Sequence, residues 1–85
     1  MGARSWARPM LPDISPAQGK MALFNSGRLT AAQEAVDAHP YEPVRIYWNS
    51  ATTWQRNHPY IAALALEIGM GDIEVDALWD AARRQ

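Results

Sequence analysis

The chain lacks cysteine altogether, which excludes a disulfide framework, a thiolate zinc site and a thiol nucleophile. It also lacks any apolar run near the roughly eighteen residues that a membrane span needs, so no membrane partner is expected. Charge of one sign is missing too: eight Lys and Arg against nine Asp and Glu leave a net −1, and a global pull towards polyanions is absent. The N-terminal stretch carries two Arg but no h-region, so a secretory signal is not expected. Nowhere do β-branched residues alternate with polar ones over a useful window, which removes the signal of a half-buried strand.

What remains is helical. At 85 residues and 48% hydrophobic, the composition suits one small globular domain with a modest core. Residues 1–14 hold Pro9, Pro12 and no sustained period, and are read as an N-terminal arm preceding a helical domain over 15–85. Ser15-Pro16 forms an N-cap and first helical residue, because proline costs nothing where the amide has no helical acceptor. The helix that follows contains Leu23 and Phe24 as expected core members. Gly19 weakens it by about 1 kcal/mol relative to alanine, and Gly27 stops it. Thr30 and Gln33 have capping-box spacing ahead of a short helix that ends before His39-Pro40.

Pro43 can open a further helix. On it Val44, Trp48, Ala51 and Trp54 share one face by spacings of three and four, with Arg45 and Arg56 on the other. Asn57 or His58 then caps a helix beginning at Pro59, whose apolar stripe is Ile61, Leu64, Ala65 and Ile68, widened by Leu66. Gly69 ends it. Asp72 is the expected cap of the last helix, which has Leu78 in its core, acids at its start and Arg83 and Arg84 at its end, an order that suits the helix dipole. Gly27-x-x-Thr30 and Gly69-x-x-Asp72 repeat one plan, a stop glycine between apolar helices. The expected fold is all-α: a small single-domain bundle of four to five short helices joined in helix-Gly-helix hairpins.

Chemistry is sparse. The two imidazoles, His39 and His58, each precede proline at a helix boundary, where a turn or cap role is the ordinary one. No nucleophile elbow, His-Glu-x-x-His or P-loop pattern occurs. Asp37 and His39 without a third ligand do not hold zinc. The expectation is therefore a non-enzyme with no catalytic residue, cofactor or metal. A helix-turn-helix reading places Asp72, Glu74 and Asp76 at the groove-entering end of the last helix, where phosphates repel them, so nucleic acid is not an expected partner. Four tryptophans are the conspicuous excess, since Trp belongs to cores and to interface anchors alike. Trp48 and Trp54 are assigned to the core. Trp6 (between Arg4 and Arg8), Trp79, Arg45 and Arg56 are the candidate partner-binding residues.

QGKMALFNSGRL, then a short helix, then RIYWNSATTWQRNHPYIAALALEIGMGDIEVDALWDAA is an order of elements that resembles a small helical module of phage and prophage tail-region proteins. The likeness covers about residues 17 to 82. Gln18, Ala22, Leu23, Gly27 and Leu29 carry it in the first part. Ile46, Trp48, Ala51, Thr52, Arg56, Pro59, Ala62, Leu64, Gly69, Asp72, Val75, Asp76, Leu78 and Trp79 carry the rest. It implies a structural or assembly role, with a protein partner from the phage tail region and a location in the virion or in the host cytoplasm during assembly. A second copy of the chain is a further candidate partner. The other function class weighed is a small phage-encoded regulator or inhibitor of a host protein or, through the helix-turn-helix, of DNA.

Overall fold

A computed structural model describes residues 11–85. Five helices follow one another: α1 (Pro16–Asn25), α2 (Leu29–Ala38), α3 (Glu42–Ser50), α4 (Pro59–Glu67) and α5 (Asp72–Ala82). The all-α single domain read from the sequence is the fold observed. α1 lies chiefly along α5 and α2, while α2 also touches α3 and α4.

α1 starts with a complete capping box. The Ser15 hydroxyl accepts from the Gln18 amide at 3.0 Å, and the Gln18 side chain accepts from the Ser15 amide at 2.9 Å. Its C-terminus closes as a Schellman turn. Gly27 takes φ 76°, its amide donates to the Phe24 carbonyl at 3.1 Å, and the Arg28 amide donates to Leu23 at 2.8 Å. α4 ends in the same way: Gly69 at φ 74°, its amide on Leu66 at 3.2 Å and the Met70 amide on Ala65 at 2.8 Å. Both glycine stops are where the sequence places them.

Other boundaries differ. α2 begins at Leu29 with Arg28 as a cap that makes no side-chain bond to the helix end, so Thr30 and Gln33 are not its capping box. The Schellman turn hands the chain to α2 directly, and Gln33 is spent elsewhere: its Oε1 accepts from the Trp48 indole at 3.1 Å and its amide donates to Asp37 at 3.0 Å. At the head of α5 the cap position is Gly71, one residue earlier than Asp72, and Glu74 reaches back to accept from the Gly71 amide at 2.9 Å.

The largest correction concerns α3. It stops at Ser50, and Ala51 is already extended (φ −65°, ψ 142°). Ser50, Thr52 and Thr53 are poor helix formers, which is the local reason. Trp54 therefore does not lie on the α3 face. It pairs with Ile14 in an isolated antiparallel bridge, the amides and carbonyls exchanging bonds of 3.1 and 2.7 Å. Both side chains are 2% exposed, and Leu11 packs against the same core. Residues 11–14 thus belong to the domain rather than to a loose arm; residues 1–10, Trp6 among them, lie outside the described residues.

Trp54 also explains Gly19. A Cβ on residue 19 would fall 2.4 Å from the Trp54 ring, so the helix gives up propensity to let an indole lie against its backbone. Trp48 packs on Trp54 with ring centroids 4.9 Å apart, and the Lys20 ammonium stands 5.0 Å over the Trp48 ring. Leu23, Val44, Trp48, Trp54, Ile61 and Leu64 are buried as expected, and Ala51, Ile68 and Leu78 flank the core half-buried. Phe24 is a correction: it is 67% exposed, because the buried side of α1 is Gly19, Ala22 and Leu23 and residue 24 turns roughly 100° away from Leu23.

Candidate interaction surface

Of the four candidate partner-binding residues, three are engaged inside the domain. Trp79 is 1% exposed, on the inward face of α5 with Val75 and Ala82, so it is core and not an anchor. Arg45 donates through Nη1 to the His39 carbonyl, tying α3 to the end of α2. Arg56 retains only 10% of its side-chain exposure. Its Nε donates to the Asp76 carboxylate at 2.7 Å, and its Nη2 lies 3.3 Å from the Asp72 carbonyl and 3.6 Å from the Asp72 carboxylate. It clasps the loop before α4 to the first turn of α5. Trp6, the fourth, lies outside the described residues.

The remaining arginines are similarly held. Arg28 pairs with Glu74 at 2.9 Å, and Asp80 holds both Arg83 at 2.6 Å and Arg84 at 2.8 Å. Hydrogen bonding from Arg83 lowers the Asp80 pKa, aided by the charges of Arg84 and Arg83 and opposed by partial desolvation. Every arginine from residue 11 onward therefore has an intramolecular acceptor, and the described residues present no cluster of unmatched positive charge.

The two imidazoles act alike. His-Pro-Tyr occurs at 39–41 and again at 58–60, and in each the His Nδ1 accepts from the tyrosine amide at 3.1 Å. The motif is a backbone device: an imidazole caps the chain where proline begins or precedes a helix. Three of its rings, those of Tyr41, His58 and Tyr60, cluster with Tyr47. Tyr47 stacks on His58 at 4.2 Å, and Tyr60 stands edge-on to Tyr41 and Tyr47 at 5.9 and 5.8 Å. Hydrogen bonding with Tyr41 raises the Tyr60 phenol above its ordinary pKa. With both Nδ1 atoms committed to amides, neither imidazole offers that nitrogen as a base. Among the described residues no three His, Asp or Glu side chains converge as metal ligands, and no helix is long and apolar enough to cross a membrane.

The exposed apolar surface lies elsewhere. Between α4 and the start of α5 runs a groove of about 360 Å3, floored by Ile61, Ala62, Ala65, Met70 and Val75 and bounded by Leu66, Arg56, Gly71 and Asp72. Leu66 is 82% exposed, and Ile73, next to Asp72, is 85% exposed, the two highest values among the large apolar side chains described. By contrast, the hollow bordered by Trp48, Trp54 and Trp79 is only about 40 Å3 and carbon-walled. The indole N–H groups of Trp54 and Trp79 are buried without an acceptor among the described residues, a cost of about 1–3 kcal/mol each.

Sequence reading missed the groove because it treated Leu66 as an extension of the inward stripe. The available signal was that Leu66 lies two positions after Leu64, on the far side of a helix of 3.6-residue period. The repeated His-Pro-Tyr was equally visible and equally overlooked. No protein family matches the chain, and comparisons with curated proteins and with solved structures return no significant match.

Proposed function

We propose that the chain is a non-enzymatic helical interaction module that docks a larger protein through the α4–α5 groove, in the tail or baseplate region of a tailed phage or prophage-derived particle. The observation that carries the docking reading is Leu66, 82% exposed on the rim of a groove floored by Ile61, Ala65, Met70 and Val75, with Ile73 a second exposed apolar side chain at the head of α5. Large apolar side chains held out in water next to a groove mark a protein-interaction surface. The phage setting rests on the resemblance in element order and on the residues that carry it. A DNA-binding reading is opposed by Asp72, Glu74 and Asp76 at the head of α5 and by arginines already paired.

The test is capture of tail-region proteins from an induced lysate by the full chain and by its Leu66→Glu variant. A solvent-facing substitution leaves stability within about 0.5 kcal/mol, so loss of an identified tail component with an unchanged melting curve supports the reading. Undiminished capture by Leu66→Glu removes the groove from the account, and capture of no tail component removes the setting.

A further inference from the structure

α4 has no polar face. Of its residues, PYIAALALE, only the last, Glu67, is charged, and a helix that is apolar all round belongs inside a larger body. Ile61 and Leu64 face the core of this domain, whereas Ala62 and Leu66 are exposed. One surface therefore carries both a knob, Leu66, and a hole, the groove that Ala62 helps to wall. A two-fold contact needs such a patch, because each copy presents what the other receives.

The polar groups at the two ends of α4 match in the same sense. His58, the N-cap, accepts from the Tyr60 amide through Nδ1, so the neutral ring carries its proton on Nε2, a donor with no acceptor among the described residues. It lines a hollow that shares Arg56 with the groove, which places it at the groove's end. Glu67 is an exposed acceptor with no donor among the described residues, and it stands at the helix end where the dipole disfavours a carboxylate. Two α4 helices laid antiparallel about an axis between residues 62 and 63 satisfy both groups twice. Each Glu67 then meets the other copy's His58 at the positive helix end, each Leu66 falls opposite Pro59 beside the Ala62 wall of the groove, and alanines at the crossing allow close approach. We propose that the α4–α5 groove is closed by a second copy of this chain, α4 packing antiparallel on α4 and Leu66 of each protomer seating in the groove of its partner. The inference rests on reading the groove as a docking surface and adds its resting occupant, with which a larger protein must exchange.

Analytical ultracentrifugation of the purified full chain tests it. The expected result is a monomer–dimer equilibrium between about 10 µM and about 1 mM. Leu66→Glu should be monomeric with an unchanged circular dichroism spectrum, and Glu67→Gln should dimerise roughly 3–30-fold more weakly. Because the chain has no cysteine, Ala62→Cys supplies one thiol per protomer close to the axis. It should form a disulfide between protomers under mild oxidation, whereas Glu34→Cys, exposed on α2, should not. A parent chain that stays monomeric overturns the inference. So does a dimer that survives Leu66→Glu, or one that cross-links equally through both thiols. Capture of a tail component by a chain that never dimerises leaves the docking reading standing, so the two readings fail separately.

Discussion

The hairpins α1–α2 and α4–α5 begin from the same Schellman turn and end differently. After Gly27 a single residue, Arg28, precedes α2, and the two helices pack against each other. After Gly69 two residues intervene, Met70 turning inward to 7% exposure and Gly71 serving as the cap of α5. α5 then lies along α1 instead, and the groove opens between it and α4. A single additional residue after the glycine accompanies the change from a closed pair to an open one. Glu74 joins the two turns: one oxygen accepts from Gly71 at 2.9 Å, the other from Arg28 at 2.9 Å.

The first hairpin is pinned by Trp54 and the second by Arg56, and breaking the pins should separate them. Trp54→Ala should cost about 3–5 kcal/mol, comparable with the stability of a domain this small, and leave little helical signal in far-ultraviolet circular dichroism. Gly19→Ala tests the same contact with the opposite helix bias. On propensity alone it gains about 1 kcal/mol, yet its Cβ meets the buried Trp54 ring at 2.4 Å, so a net loss of about 1–3 kcal/mol is expected in urea unfolding. A stabilised Gly19→Ala would mean that the indole does not lie there.

On the second pin, Arg56→Ala removes a guanidinium that is 10% exposed together with its bonds to the Asp76 carboxylate and the Asp72 carbonyl, an expected loss of about 1–3 kcal/mol. Arg28→Ala removes the exposed pair with Glu74, 38% and 47% exposed, and should cost no more than about 1 kcal/mol. Equal losses in denaturant would make the Arg56 clasp a surface pair like the other. Gly27→Ala and Gly69→Ala should each cost about 1–2 kcal/mol through left-handed strain alone, since neither Cβ meets an atom within 4 Å. Similar midpoints for the two variants would show that the hairpins differ only after their shared stop.

The legible part of the molecule is the part governed by local rules. Ser15, Gly27, His58 and Gly69 act at the backbone within a few residues of themselves, and their roles follow from spacing. Trp54 does not, because a bridge to Ile14 joins residues forty positions apart and overrides the helical register that Val44, Trp48 and Ala51 suggest. Arg56 was placed on a polar face, yet its acceptors lie sixteen and twenty positions further on. Phe24 and Trp79 exchange roles for the same reason: the side of a helix that is buried depends on which neighbour covers it, and α1 and α5 cover each other. The groove is a product of that arrangement, so its position could not be read before the arrangement was known.

The smallest effect expected lies at the far end of α5, where the second hairpin has ion pairs and α2, among the described residues, ends on Ala38 and His39 without them. The Arg83 hydrogen bond lowers the Asp80 pKa, so the folded carboxylate is more acidic than the unfolded one. Its contribution is therefore fully present above the unfolded carboxylate range, about pH 4, and is lost as pH falls through the lower folded value. Asp80→Asn should be slightly less stable than the parent at neutral pH, and the two urea midpoints should converge on acidification. Added salt should narrow the neutral-pH gap as well, since both arginines are half or more exposed. A gap that persists undiminished in acid would assign the contact to neutral hydrogen bonding, and the charged staking of α5 would no longer distinguish the two hairpins.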